Sequence, residues 1–534
     1  ISYVKRKLKK LLNICVSPVK KVSSIMSTPV RTISPDTTIK KAEEFMEKYG
    51  HNGVIVCGGE KIAGIFSRRD LDKVKGHDLM HAPVKGYMSK DVITVNVDAP
   101  IKEAQKLMVK YNIGRLPVLK NKKLVGIVTR SDILSSYYEQ ETPHKYQNRY
   151  GSSLVNINKE VKDISHKLDY FPENILEILK TIGETAFENE QRAFLIGGMV
   201  RDLLLGRKNH DLDIVIEGDL KDFLADLRKK IAIKVKYNKK FGTATINLNS
   251  DFSIDFATSR KEKYFFAGAL PEVEKAKIIE DLFRRDYSIN SLALSLNPDS
   301  WGKLYDYFKG RKDLENAKLK ALHRFSFLDD PTRIIRGIRL AINLNFNFEK
   351  ETDKLMKEAL KLGDFSELSP TRVFKEVKIL FNDSLSNELI AYIDKYPLFK
   401  LMDIDFEFKK KYKKAYKEIE NYEVIFKKNN FNVNKELVAL AVFMNDIPEK
   451  KYKELNLTAH EREIFSIDIN SLEKKLTNYD NKVELTTFIN KLNKDILLYT
   501  LIISENNELK ENVKLYFEKL LDVDLKIDGH DLIE

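Results

Sequence analysis

Two aspartates, Asp211 and Asp213, stand one residue apart in a short apolar run, Asp211-Leu-Asp-Ile-Val-Ile216. The run reads as a β-strand. Alternate residues of a strand share a face, so both carboxylates aim at one point while Leu212 and Ile214 turn to the core. Upstream, Gly197 and Gly198 follow the apolar Ala193–Ile196 and precede a helical pattern. A glycine turn into a helix lets backbone N–H groups and the positive helix end approach a triphosphate. Two hard oxygen ligands on one face suit Mg²⁺, which completes its shell with water and substrate phosphates. Strand, glycine turn, helix and a strand bearing Asp-x-Asp together predict metal-assisted nucleotidyl transfer.

Taken singly, each signal has a plainer reading: Asp-x-Asp as a solvated strand edge, Gly-Gly as a turn. Two more segments bear on the choice. Asp281-Leu-Phe-Arg-Arg-Asp286 sets Arg284, Arg285 and Asp286 before an apolar stretch. Asp329-Asp-Pro-Thr-Arg-Ile-Ile-Arg-Gly-Ile-Arg339 opens a helix with Asp330 at a cap-like position and Pro331 in its first turn. Arg333, Arg336 and Arg339 recur every three residues, so neighbours share a face. By itself such a helix is a basic surface.

The ordered set Gly-Gly-x-Val-Arg-Asp, Asp-x-Asp, Arg-Arg-Asp and Asp-Asp-x-x-Arg resembles the class II tRNA nucleotidyltransferase and bacterial poly(A) polymerase family over residues 190 to 385. Ala267-Gly-Ala-Leu-Pro-Glu-Val273 is similar to that family's loop ahead of Arg-Arg-Asp, with Ala267 where the family has Pro. Asp329 likewise replaces a usual Glu. The resemblance implies that Asp211 and Asp213 hold two Mg²⁺ ions, with Asp255 of Ser253-Ile-Asp-Phe256 as a candidate third carboxylate. It implies that Gly197, Gly198 and Arg201 hold nucleotide phosphates, that Arg285 adds charge there, and that Asp286 reaches the ribose. Asp330 and Arg333 would read the incoming base, a task suited to groups that are costly to leave unpaired. Arg336 and Arg339 would support the site or contact phosphate. The implied substrates are ATP and possibly CTP, the implied partner tRNA. Two other readings stay open: poly(A) polymerase on general RNA, and a non-catalytic nucleotide-sensing RNA-binding protein.

The first quarter is an internal repeat. Met26-Ser-Thr-Pro-Val matches Met88-Ser-Lys-Asp-Val, Ile39-Lys-Lys-Ala matches Ile101-Lys-Glu-Ala, and Gly64-Ile-Phe-Ser-Arg-Arg-Asp matches Gly126-Ile-Val-Thr-Arg-Ser-Asp, all offset by 62 residues without a gap. Apolar Ile39, Ala42, Phe45 and Met46 predict a helix over Ile39–Tyr49; Val54–Val56 and Ile62–Phe66 predict strands about a Gly-Gly turn. The units resemble a CBS pair. That implies an adenosine nucleotide in its cleft, with Asp70 and Asp132 on ribose and Ser67 and Thr129 near phosphate, and dimerisation through the pair. The same Ser/Thr-x-x-Asp spacing also serves as a plain helix cap.

A net charge of +13 and a pI of about 9.1 point to a polyanionic partner, with 43% hydrophobic and 32% charged residues arguing for a globular chain. Cys15 and Cys57 make no disulfide framework and no metal-ligand spacing, which fits a reducing cytoplasm. No apolar run approaches membrane-spanning length. The start lacks both an initiator Met and an apolar leader, which predicts a cut N-terminus and a domain upstream. Lys and Tyr interleave over Phe408–Lys417, where Lys410, Lys413 and Lys417 could track an RNA backbone; a solvated helix face is the plainer reading.

The expected fold is α+β: a CBS pair of α/β repeats, a nucleotidyltransferase head with a mixed sheet, then an all-α neck, body and tail. The expected limits are 1–20, a remnant of an upstream domain; 20–138, the CBS pair (units 22–75 and 84–138); 139–189, linker and a helix from Ile157 to Glu188; 190–320, the head; 321–385, the neck; 386–534, the helical RNA-binding body. A helix capped by Ser369 with Pro370 in its first turn is expected within the neck.

Overall fold

The computed structural model describes Lys21 to Leu521, except for positions within 50–78, at 112, and within 130–157, 232–241, 249–251, 264–271, 363–367 and 403–406. Residues 1–20, and Ala267 to Pro271 of the loop resembling the family's, lie outside the described residues. The chain divides into two compact units. One holds residues 1–333 and 347–367, the other 334–346 and 368–534; the boundary falls within the helix Thr332–Leu344.

The repeats fold alike. Thr32–Ile33 pairs in parallel with Gly53–Gly58, which pairs antiparallel with Lys61–Ser67. Val95–Asn96, Arg115–Lys120 and Lys123–Thr129 repeat this pattern, with the register shift at the equivalent place. The first helix is Ile39–Tyr49, as its apolar spacing predicts. Neither repeat closes its own core. Val22, at the start of the first repeat, is buried among Val95, Ala104, Leu116 and Val128 of the second. Val84, at the start of the second, is buried among Ile39, Val54, Phe66 and Leu71 of the first. Ser27 bridges to Ile127, and Ser89 to Ile65. Met26 lies where a Cβ on Gly126 would stand 2.5 Å from its sulfur, and Met88 lies over Gly64 in the same way at 2.6 Å. The two glycines are needed for this reciprocal insertion.

The head is an eight-stranded mixed sheet in the order Val235–Asn238, Thr243–Asn247, Ser253–Thr258, Asp211–Glu217, Arg192–Ile196, Leu292–Ser295, Lys303–Asp306, Glu160–Asp163. All its pairs are antiparallel except Asp211–Glu217 with Ser253–Thr258. The strand Glu160–Asp163 and the 3₁₀ turn Ser165–Tyr170 stand where a continuous helix from Ile157 was expected. Pro172 explains the difference, since it drives the preceding residue out of the helical region, and the helix begins only at Glu173. That helix, Glu173–Glu188, packs so closely on the sheet end that a Cβ on Gly183 would stand 1.8 Å from the carbonyl oxygen of Leu296.

In the second unit the helices Lys435–Met444 and Lys494–Ile503 are apolar almost all round and buried along most of their length, as such helices must be. Amphipathic helices surround them. Their starts are capped by side chains: Ser369, Ser386, Asn434, Thr458 with Glu461 as a capping box, Asp468 and Asn481. Ser369 and Pro370 open the helix Pro370–Ser384 as expected. Among the described residues no helix is long and apolar enough to cross a membrane.

Gly183→Ala is expected to destabilise the first unit despite alanine's advantage of about 1 kcal/mol in a helix. The methyl meets backbone, which cannot yield as a side chain does, and overpacking of this kind costs about 1–3 kcal/mol or more. Urea unfolding of the variant beside the parent checks it.

Candidate nucleotidyl-transfer site

The parallel strand pair builds the site. Asp211 faces Ser253, Leu212 faces Ile254 and Asp213 faces Asp255 in register. Leu212, Ile214 and Ile254 are buried, so Asp211, Asp213 and Asp255 all project from the opposite face. Asp255 accepts from the Thr245 hydroxyl at 2.6 Å. Asp213, Asp255, Thr245, Ile196 and Arg285 line a cavity of about 360 Å³. Burial, helped by the neighbouring Asp255 and Asp211 charges, pushes Asp213 above the usual carboxylate range, against the pull of Arg285. Three acidic groups facing one guanidinium leave negative charge that a divalent cation would relieve. No group of three His, Cys, Asp or Glu side chains among the described residues forms a ready cage. The all-oxygen donors of Asp211, Asp213 and Asp255 fit a hard ion such as Mg²⁺, which takes one or two carboxylates and completes its shell with substrate phosphates.

Gly197 starts the helix Gly197–Leu205 beside these carboxylates. Its φ of +70° favours glycine, and a Cβ there would stand 3.3 Å from Arg285 Nη1 and 3.4 Å from Asp213 Oδ2. Arg201 and Asp202, on the same helix, form a two-pronged pair at 2.8 Å. Asn209 donates to Asp202, and Arg201 donates to Asn290, which in turn donates to Asp286. This chain ties the glycine helix to the Arg-Arg-Asp segment. Asp286 also accepts from the N–H of Tyr287, so its carboxylate is already engaged in holding that segment.

Arg284 and Arg285 both converge on Asp281, which is fully buried. Arg284 donates to one of its oxygens at 3.0 and 2.8 Å, and Arg285 to the other at 3.0 Å. Burial alone would raise Asp281, but the two guanidiniums outweigh it and hold the carboxylate below its usual range. Arg333, 2% exposed, does not lie on an open basic surface. Its guanidinium donates to the carbonyls of Arg284 and Arg285 and to the Ser326 hydroxyl. Tyr287 donates to the Arg333 carbonyl. Asp330, also buried, accepts from the N–H and hydroxyl of Thr332 at the start of the helix.

The structure thus gathers Gly197, Gly198, Arg201, Asp211, Asp213, Asp255, Arg285, Asp286, Asp330 and Arg333 in one unit. Arg336 and Arg339 belong to the other, where Arg339 pairs with Asp383 at 3.8 Å. Sequence reasoning missed Asp281, Asn290, Thr245 and Ser326. Asp281 had a signal: it stands three and four residues before the two arginines that follow its helix, the spacing of one helical turn. In the CBS pair, Asp70 accepts from the N–H and hydroxyl of Ser67, and Asp132 from those of Thr129, so both carboxylates act as local caps. In the helical unit, Tyr412 and Tyr416 are buried. Tyr412 stacks on Phe443 at 4.4 Å, so neither ring is offered to a base. Lys410, Lys413 and Lys417 are exposed, and Lys413 pairs with Asp394.

The mixed sheet, the glycine-led helix and the paired carboxylates define a nucleotidyltransferase head. Residues 193–320 match the poly A polymerase head domain, and 22–76 and 84–139 match CBS domains. The A-adding tRNA nucleotidyltransferase of Geobacter sulfurreducens is 29% identical over 98% of this chain. The chain spans 62% of that relative's length. A solved structure described as a tRNA-processing enzyme is 30% identical, with a TM-score of 0.57, over 68% of this chain and 95% of its own. The Thermotoga maritima CCA-adding enzyme complexed with tRNA is 26% identical, with a TM-score of 0.58, over 70% of this chain and 89% of its own. The chain belongs to the tRNA nucleotidyltransferase family with a poly(A) polymerase head and an N-terminal CBS pair.

Asp281→Asn is expected to loosen both arginines. Breaking a buried ion pair costs about 3–5 kcal/mol, and the KM for nucleotide should rise with Arg285 unanchored. The carboxylate's folded pKa lies below its ordinary value, so its contribution is full above the unfolded pKa and fades as pH falls through the folded one. Parent and variant should converge in stability toward strong acid, measured by urea unfolding at stepped pH.

Proposed function

We propose that the chain is a template-independent RNA nucleotidyltransferase that adds AMP, or CMP and AMP, to a tRNA 3′ end and releases pyrophosphate. The observation that carries this reading is the common face of Asp211 and Asp213 beside Gly197 and Arg285. Two bound Mg²⁺ ions would supply activation of the 3′-hydroxyl and neutralisation of the triphosphate. Asp211 and Asp213 hold them, with Asp255 turned to the same face. The Gly197–Gly198 turn lets backbone approach the phosphates, with Arg285 and Arg201 as positive partners. Asp330 and Arg333 select the base, and Arg336 and Arg339 support the helix that carries them. ATP is the main substrate and CTP the second. The A-adding relative, matched over almost the whole chain, favours addition of the terminal A.

A tRNA partner accords with the net charge of +13, and the exposed Lys410, Lys413 and Lys417 are one place for its backbone. The tyrosines of that helix face inward, so any contact there is electrostatic and not by stacking. The CBS pair binds an adenosine nucleotide through Ser67, Asp70, Thr129 and Asp132 and dimerises the enzyme, which works in the cytoplasm. Polyadenylation of general RNA uses the same chemistry and is the second reading. The complete carboxylate set disfavours a non-catalytic sensor.

The test uses three tRNA transcripts, ending before CCA, after C and after CC, each with ATP or CTP. AMP addition confined to the transcript ending in CC is the expected result; CTP incorporation into the shorter transcripts would make it a CCA-adding enzyme, and extension of unrelated RNA a polymerase. Asp213→Ala should lower the rate on the order of 1000-fold without loss of fold. Near-normal turnover would remove the metal assignment. Replacing Lys410, Lys413 and Lys417 together by Gln should flatten the slope of log K against log salt by roughly 0.7 to 0.9 for each phosphate no longer neutralised. An unchanged slope, from filter binding at stepped salt, would place the RNA elsewhere.

A further inference from the structure

Arg333 is the charged group of the base-reading pair, yet its guanidinium lies among residues outside that pair. Ser326, 0% exposed, opens the short helix that leads to Asp330. Its hydroxyl accepts from Arg333 Nη1 at 2.8 Å, the same nitrogen that donates to the Arg285 carbonyl. Arg333 Nη2 donates to the Arg284 carbonyl at 2.5 Å. Three donors are thus committed, while the buried Nε–H has no hydrogen-bond partner among the described residues. A guanidinium has five N–H donors in a fixed fork, so fixing the Nη1 side also fixes where the Nε side points. His323 closes the cage. Its Nε2 is 3.5 Å from Arg333 Nη1, and its ring packs on Phe283 with centroids 5.3 Å apart. Burial, with the Arg333 charge, pushes His323 down to about 3, so it stays neutral and adds no positive charge. Arg333 can only donate, so the Nε2 that faces it accepts and the neutral ring carries its proton on Nδ1.

We propose that Ser326, with His323 behind it, is a positioning residue for nucleotide selection: it pins the Nη1 side of Arg333 so that only the Nε side is left for a base. The inference rests on the base-reading role of Arg333 given above. It separates two functions in one side chain. The Nη groups fasten Arg333 to the backbone of Arg284 and Arg285, and so to the segment that lines the metal cavity. The Nε–H is the buried donor whose cost of remaining unpaired falls on any base that cannot accept from it. Without the Ser326 hydroxyl the rigid guanidinium can turn as a plane about its Cδ–Nε bond and offer its donors in more than one direction. Discrimination then falls although the charge and the residue remain.

The experiment compares kcat/KM for ATP and CTP on a tRNA ending in CC, for the parent, Ser326→Ala, Ser326→Thr, Arg333→Ala and the double variant Ser326→Ala/Arg333→Ala. Urea unfolding is run on each. Ser326→Ala should lower the ATP-to-CTP ratio roughly tenfold, the scale of one hydrogen bond to a charged group. Ser326→Thr, which keeps the hydroxyl, should recover most of that ratio even if it is less stable. In the Arg333→Ala background, Ser326→Ala should change the ratio no further, because the hydroxyl acts only through that side chain. An unchanged ratio in Ser326→Ala overturns the proposal, as does a further drop in the double variant. If Arg333→Ala itself keeps the parent's ratio, the base-reading role fails and the positioning role with it; if Arg333→Ala loses the ratio and Ser326→Ala does not, only the positioning role fails.

Discussion

A carboxylate with no exposure to water, Asp281, binds two guanidiniums, and much of the first unit's chemistry follows from that arrangement. Burying one anion alone is prohibitive; here Arg284 also pairs with the buried Glu262, which pairs in turn with Arg260, so three guanidiniums meet two carboxylates and a local positive excess remains. Arg285 carries that excess toward the cavity, where Asp213, Asp211 and Asp255 are in negative excess. The two imbalances face each other across Gly197, whose missing side chain lets Arg285 Nη1 and Asp213 Oδ2 approach. A cation at the carboxylates and an anionic phosphate at the arginines would settle both.

Arg333 extends the same logic. It does not pair with a carboxylate but with two backbone carbonyls and a hydroxyl. A charged donor on neutral acceptors keeps its charge less compensated than an ion pair would. The same bonds join the start of the helix Thr332–Leu344 to the Arg-Arg-Asp segment. The Arg333 guanidinium and the backbone of Arg284 and Arg285 therefore share one scaffold, and a displacement of Arg333 also disturbs Arg285.

What could be read from the sequence was what local periodicity encodes. A period of two placed Asp211 and Asp213 on one face, and the gapless repeat located both copies of the strand pattern. Non-local pairing was not legible. Nothing near Asp255 announces that its strand runs parallel to Asp211–Glu217 in the register that sets it beside Asp213. The edge strand Glu160–Asp163 is only four residues long with all side chains exposed, so it carries no apolar pattern to detect. The burial of Arg333 depends on carbonyls contributed from nearly fifty residues earlier. The reciprocal insertion of Met26 and Met88 is likewise invisible in the sequence, although the glycines that receive them belong to the repeat.

The helix Lys410–Lys428 shows where periodicity is available but is masked by charge. Tyr412, Ala415, Tyr416 and Ile419 fall at the spacing of one helix face, and all four are buried. The lysines between them are exposed because the tyrosines are not, so interleaving along the sequence becomes separation in space. Asp446 gathers Lys409, Lys411 and the hydroxyl of Tyr412 at one end of this helix, which draws those two lysines toward the protein's own acid. Lys413 pairs with Asp394 and Lys414 with Glu418, so the basic charge that remains for a polyanion rests on Lys410 and Lys417 and is weakly directional. Such a surface can raise affinity and association rate for a polyanion, but it cannot choose among RNAs. The buried Asp330 and Arg333 of the first unit differ in kind, since a misplaced donor there has no water to turn to.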